Sequence, residues 1–320
     1  MSNSHGPGYA ELHCISSFSF LRGASQPAEL VHQATNLGYT ALAITDECSL
    51  AGVVRAHEAA RDLGIALIIG AEFRLADGPK CVLLATSRTG YAQLARFITL
   101  GRRRSSKSTY VLDSTDLRTQ NLQECLLLWL PDDSGYLHTH QLTDIATRFC
   151  QRIWLGFTGF SLQDQTQQLR NLKDISQQHA VPLVACGDVH MHVRSRRALQ
   201  DTLTAIRLNK PLQELGYDLF PNGDRHLRPR RHLMQLYPPE LLEQTLLIAQ
   251  RCTFSLDELR YEYPHELVPP DHTPSSWLRQ LTEQSARTRY PSGIPAKVRK
   301  TIEHELRPVS YTHLTLPTKA

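Results

Sequence analysis

At 320 residues, 41% hydrophobic and 21% charged, the chain has the composition of a globular protein of one or two domains and excludes a disordered or collagen-like one. Met1 to Gly8 carries neither a basic start nor an apolar stretch, and no later run reaches the ~18 apolar residues a membrane span needs, so the sequence predicts a cytoplasmic protein with no membrane association. Net charge is only +4, yet residues 194–231 hold nine Lys or Arg against four acids, a local excess larger than that of the whole chain. Such clusters attract polyanions by counterion release and equally describe a solvated face.

In chain order, short aliphatic runs alternate with helical stretches. The runs are Ala41–Ile44, Ile65–Ile69, Cys81–Leu84, Leu126–Trp129 and Val181–Ala185, and their unbroken apolarity predicts parallel strands buried on both faces. Between them, Pro27–Leu37, Leu50–Leu63, Tyr91–Leu100 and Leu162–Gln178 read as helices. Three of these end on Leu-Gly pairs, at Gly38, Gly64 and Gly101, where glycine can take the left-handed conformation that closes a helix. The alternation makes the class α/β. Asp46, Glu72 and Asp188 with His190 all fall at the carboxyl ends of predicted strands, where a closed barrel brings side chains from different strands to one mouth. An open dinucleotide-binding sheet would need a glycine-rich turn after its first strand, and Thr45-Asp46-Glu47-Cys48 is not one, so the barrel is favoured.

Beyond residue 195 the alternation fades into helices at Ala198–Leu208 and Pro239–Arg251. The proline-rich stretch from Tyr263 to Pro274 reads as a linker, and a further helical element begins near Ser276 or Trp277. The helix at Thr301–Leu306 is expected to stop at Pro308, and residues 308–320, without helical periodicity, read as a non-native tail. Seven cysteines, an odd number without a Cys-x-x-Cys pair, suggest neither a disulfide framework nor a zinc ribbon and read as reduced, mostly buried thiols.

Of the fifteen histidines, those beside the acidic strand ends carry chemical interest. His13 follows a short predicted strand at Tyr9–Leu12, and Asp188, His190 and His192 alternate so that all three face one way if the strand continues. Mixed imidazole and carboxylate shells suit zinc, manganese or iron, and two or three such ions activate water against a phosphoester. Asp-x-His alone is equally a polar cluster at a barrel rim.

Four stretches in order, Leu12–Ser25, Ala43–Gly52, Gly70–Phe73 and Gly187–His192, resemble the successive motifs of the polymerase and histidinol phosphatase (PHP) domain. With Arg194–Ile206 they are similar to the amino-terminal region of bacterial error-prone DNA polymerases of the C family, over about residues 9 to 307. The resemblance implies a PHP-type distorted (β/α)7 barrel over 9–262, after a disordered start at 1–8. A linker at 263–275 and a helical extension at 276–307 that opens a truncated polymerase palm follow. It implies metal ligands at His13, Asp46, Glu72, Asp188 and His190. Ile15, Arg22, Glu47 and Lys80 stand where the family has further ligands, and Trp154–Phe160 holds no histidine where one is expected. Arg22 and Lys80 are therefore expected to replace bound cations by ion pairs with Asp46, Glu72 and Asp188, leaving at most one weak zinc or manganese site.

The parent protein implied is a damage-induced DNA-directed DNA polymerase of translesion synthesis, repair and replication. It would use magnesium, DNA and deoxynucleoside triphosphates, with a sliding clamp and mutagenesis accessory proteins recruited through regions outside this chain. The polymerising carboxylates belong to the palm, so none is expected here. Arg194, Arg196, Arg197, Arg228, Arg230 and Arg231 are the candidate nucleic-acid contacts. A free-standing metal-dependent phosphoesterase and a non-catalytic DNA- or protein-binding module are the alternatives.

Overall fold

The computed structural model describes residues 8–78, 80–131, 136–159, 165–259 and 268–312. Three continuous apolar runs become strands whose residues are buried on both faces, β2 (Ala41–Ile44), β4 (Lys80–Ala85) and β5 (Cys125–Leu130); β6 (Ile153–Phe157) is equally buried, and β1 (Ala10–Glu11), β3 (Ala66–Arg74) and β7 (Leu183–Ala185) complete the set. The seven form one sheet in chain order, β1 to β7. Alternate residues enter two apolar layers, as a two-residue side-chain period requires. Leu127, Trp129, Cys81 and Leu83 join Leu30, Val31, Leu94 and Phe97 of the surrounding helices. Leu126, Leu128, Leu130, Val82 and Leu84 instead meet Ala10, Leu12, Ile68 and Val184 across the sheet's concave side.

The ends of the sheet approach one another. Past β1 and β7 the chain forms a parallel bridge between Cys14 and Val189, with Ile15 N–H donating to Val189 O and Val189 N–H to His13 O, both at 2.9 Å. This seam sets His13 beside Asp188.

One expectation fails in direction: β4 runs antiparallel to both β3 and β5, while every other pairing is parallel. Only residues 75–79 separate β3 from β4, too few for the helical crossover that parallel neighbours need. β6 was absent from the predicted runs because Gly156 interrupts it. That glycine is a packing requirement, since a Cβ there would lie 2.2 Å from Leu130 Cδ2.

The helices around the sheet are α1 (Pro27–Asn36), α2 (Val53–Leu63), α3 (Arg88–Arg103), α4 (Ser114–Thr119), α5 (Leu142–Arg148), α6 (Gln165–His179), α7 (Arg197–Leu208), α8 (Arg230–Leu236) and α9 (Pro239–Arg251). Gly38 and Gly64 take φ of 69° and 70° just past α1 and α2, as the Leu-Gly signals predict. Gly101 does not end its helix. It lies inside α3, where a Cβ would meet Leu112 Cγ at 2.8 Å, so its role is close packing. Ile248 of α9 and Cys252 just past its end join the concave layer, and Thr245 Oγ1 accepts from Ala10 N–H at 3.2 Å.

Residues 1–259 and 260–320 form separate compact units. In the second, Thr273 caps α10 (Pro274–Arg289) by accepting from Ser276 N–H, and Arg279 pairs with Glu303 of α11 (Ala296–Thr312) through two bonds of 2.7 and 3.0 Å. The helix expected to stop before Pro308 continues to Thr312; proline removes one backbone hydrogen bond without ending it. Residues 1–7 of the predicted unordered start, the first residues of the linker within 260–267, and 313–320 of the predicted tail lie outside the described residues. Among the described residues no helix is long and apolar enough to cross a membrane.

Candidate metal centre

The bridge between the extensions of β1 and β7 delivers His13 and Asp188 to one place, and β3 delivers Glu72. His13 Nε2 lies 2.6 Å from Glu72 Oε2, and His13 Nδ1 lies 3.5 Å from Asp188 Oδ1. These three buried residues form the one group of potential metal ligands among the described residues. His190 joins through Asp188, its Nε2 3.2 Å from Oδ1. Asp188 has φ of 42°, so the chain here is a turn and not a continuing strand. That turn aims His192 elsewhere, with its Nδ1 2.8 Å from Ser25 Oγ.

Asp46 is not part of the group. Its carboxylate accepts from Ser16 N–H at 2.7 Å, Ser16 Oγ at 2.8 Å and Ser19 Oγ at 2.7 Å, which fixes the loop after β1. Burial raises its pKa against the pull of those serine bonds. The expected pairing of Asp46 with Arg22 or Lys80 is therefore replaced by serine hydroxyls.

Both predicted cations reach the other acids. Arg22 Nη1 donates to Glu47 Oε2 at 2.6 Å and to Glu72 Oε1 at 2.7 Å, and Lys80 Nζ donates to Asp188 Oδ2 at 3.1 Å. A third base that sequence reasoning missed, Arg225, also pairs with Asp188 Oδ2 and lies over the Phe220 ring at 4.0 Å. Nothing in the spacing distinguished Arg225 from the other bases of its cluster. Glu47 was equally overlooked as a partner, although its appearance together with Arg22 is a complementary pair of departures from the family pattern. Tyr110 Oη donates to Glu47 Oε1 at 3.0 Å.

Burial alone would push the Glu72 carboxyl up, but the Arg22 guanidinium and the His13 hydrogen bond hold it well below the usual carboxylate range. Burial lowers His13 against the opposing pull of Glu72, and lowers His190 strongly, helped by the charge of Arg22. Both imidazoles are thus held neutral near pH 7. In the unfolded chain His190 takes a proton near pH 6.5, whereas in the folded chain it resists until the pH is far lower, so its contribution to stability is complete above pH 6.5 and is lost as pH falls. Comparing wild type with His190→Gln by urea unfolding should show the wild type losing about 1.4 kcal/mol more per pH unit below that point. Parallel pH profiles for the two would contradict it.

By position His13, Glu72 and Asp188 could hold one ion. By bonding they offer it no place. Glu72 spends one oxygen on Arg22 and the other on His13, and Asp188 spends one on Lys80 and Arg225 and the other on His190. The buried Nδ1 atoms of His13 and His190 alone lack partners here. Among the described residues Arg22, Lys80 and Arg225 balance Glu47, Glu72 and Asp188, so the donor set does not fit a resident divalent cation.

The candidate nucleic-acid contacts are dispersed. Arg228 is only 2% exposed, its Nη2 donating to Tyr237 Oη at 3.1 Å, so it is a core residue and no DNA contact. Arg196 pairs with Glu29, Arg197 with Asp201 and the Phe220 carbonyl, and Arg230 with the Gly38 carbonyl. Arg194 and Arg231 are exposed.

Residues 11–153 match the PHP domain family. The chain carries a PHP domain. It is 57% identical over 298 residues to the error-prone DNA polymerase of Methylococcus capsulatus, covering 93% of this chain and 28% of that protein. The error-prone DNA polymerases of Dechloromonas aromatica and Pseudomonas aeruginosa are 51% and 54% identical over 94% and 93% of the chain. The chain spans under a third of the length of these relatives. Among solved structures, a protein described as a metal-dependent phosphoesterase from Bifidobacterium adolescentis covers 58% of this PHP-domain chain and 89% of its own, at 16% identity and a TM-score of 0.43.

Proposed function

We propose that this chain is the PHP-domain portion of an error-prone DNA-directed DNA polymerase, in which the domain serves as a scaffold. The observation that carries the reading is 57% identity sustained over 93% of the chain to a protein of that name. In this reading residues 9–262 are the PHP domain, 263–275 a linker and 276–307 the start of the palm. The polymerising carboxylates, two magnesium ions and the nucleotide site belong to the rest of the protein. Translesion synthesis and repair after DNA damage, a cytoplasmic location, a sliding clamp and mutagenesis accessory proteins come with the same reading.

The scaffold role rests on accessibility. His13, Glu72, Asp188 and His190 are 0–2% exposed, so a phosphoester cannot reach them. This weighs against the phosphoesterase reading. A contribution to DNA binding fits the exposed Arg194 and Arg231, which would act on the phosphate backbone without reading sequence.

The test is primer extension with magnesium and the four deoxynucleoside triphosphates. The isolated chain is expected to add no nucleotide, whereas the protein translated from the full reading frame that contains it should extend a primer on a template. Incorporation by the isolated chain, or a full frame without polymerase activity, would overturn the proposal.

A further inference from the structure

The PHP family implies metal, and the geometry of this chain does not accept it. We propose that Arg22, Lys80 and Arg225 are the resident cations of the centre, that they stand in place of metal ions, and that the folded protein excludes divalent metal. The inference does not depend on the polymerase reading, because it concerns only the charges at the mouth of the sheet.

Three observations combine. First, both oxygens of Glu72 and both of Asp188 are already bonded to nitrogen, so an ion would have to displace an ion pair or a hydrogen bond for each bond it makes. Second, Glu47, Glu72 and Asp188 are paired with the fixed positive charges of Arg22, Lys80 and Arg225, so an added divalent ion would bring two uncompensated charges beside Glu72 and Asp188, which are 0% and 2% exposed. Third, the bases come from three separate segments: the loop after β1, the first residue of β4, and the loop that follows α7. That last loop is fastened over the centre, since His190 and Met191 N–H donate to the Arg225 carbonyl at 2.9 and 3.1 Å and Leu227 N–H donates back to Met191 O at 3.3 Å. Phe220 packs edge-on against His190, with ring centroids 5.1 Å apart, under the Arg225 guanidinium. Arg225 is thus held in place by backbone bonds to the residues that follow Asp188.

The centre can therefore be converted. Removing both charges that serve Asp188, in Lys80→Gln with Arg225→Gln, frees Oδ2 of the carboxylate whose Oδ1 lies 3.5 Å from His13 Nδ1, and leaves a net negative charge that a cation would neutralise.

The experiment is metal analysis of tag-free protein after incubation with excess manganese or zinc and gel filtration, paired with thermal unfolding with and without the ion. The wild type is expected to retain well under one ion per chain and to show no shift in melting temperature. The double variant should retain one ion per chain and melt higher when the ion is present, since an ion bound only by the folded state stabilises it. One tightly held ion in the wild type would overturn the proposal, and this arm needs no variant to fold. A folded double variant that takes up no ion would overturn the assignment of Lys80 and Arg225 as the replacements.

Discussion

Asp188→Asn should lower the stability of the unit formed by residues 1–259 by about 3–5 kcal/mol, because it leaves two largely buried cations without their carboxylate. Asp188 is 2% exposed and serves Lys80 and Arg225, whose side chains are 6% and 15% exposed. Asparagine keeps the size of the side chain and tolerates the φ of 42°, so the loss would report charge and not backbone strain. Alanine at the same position adds the cost of a left-handed conformation and should be worse by roughly 1 kcal/mol. For a unit of this size the asparagine change corresponds to a drop in melting temperature on the order of 10 °C, read by circular dichroism. A drop of only a degree or two would mean that Lys80 and Arg225 find water or another acid.

Arg22→Met should be of similar size near pH 7.5, about 3–5 kcal/mol, for the opposite reason: it strands acids. Glu72, wholly buried, and Glu47 share the single Nη1 of Arg22. In the wild type Arg22 helps keep the Glu72 pKa well below its usual range, so Glu72 binds no proton in either the folded or the unfolded state above about pH 5 and adds no pH dependence there. Without Arg22, burial would raise the Glu72 pKa, and the folded variant would bind a proton that its unfolded chain does not. The variant's stability should then recover as pH falls, so the deficit measured by urea unfolding at pH 7.5 should shrink by pH 5.5. A deficit that stays constant would show that Arg22 acts through packing alone.

Much of the fold was legible because burial on both faces leaves strands unbroken and apolar, and because two helices end in left-handed glycines. Direction was not legible. Cys81–Leu84 has the same apolar signature whether it runs with or against its neighbours, and only the short link before Lys80 betrays the hairpin. Gly156 hid β6 because a glycine needed for contact with Leu130 looks, in sequence, like a turn. At the centre, motif order identified His13, Glu72, Asp188 and His190, and the departures from the family pattern pointed to Arg22 and Lys80. Asp46 was misplaced because a carboxylate after a strand reads alike whether it faces a cation or a pair of serine hydroxyls. Arg225 was invisible, since its approach to Asp188 depends on a loop fold and not on spacing. Arg228 shows the converse error: a charge within a basic run is read as surface, yet its guanidinium hydrogen-bonds to Tyr237 in the interior.

The fold and the chemistry of the centre meet in one relationship, the direct ion pair between Arg22 and Glu72 across two segments far apart in sequence. A double-mutant cycle of Arg22→Met and Glu72→Gln, measured by urea unfolding at pH 7.5, tests it. A coupling above about 2 kcal/mol is expected, with the double variant more stable than Arg22→Met alone. Additive effects, with coupling below about 0.5 kcal/mol as for exposed pairs, would contradict it.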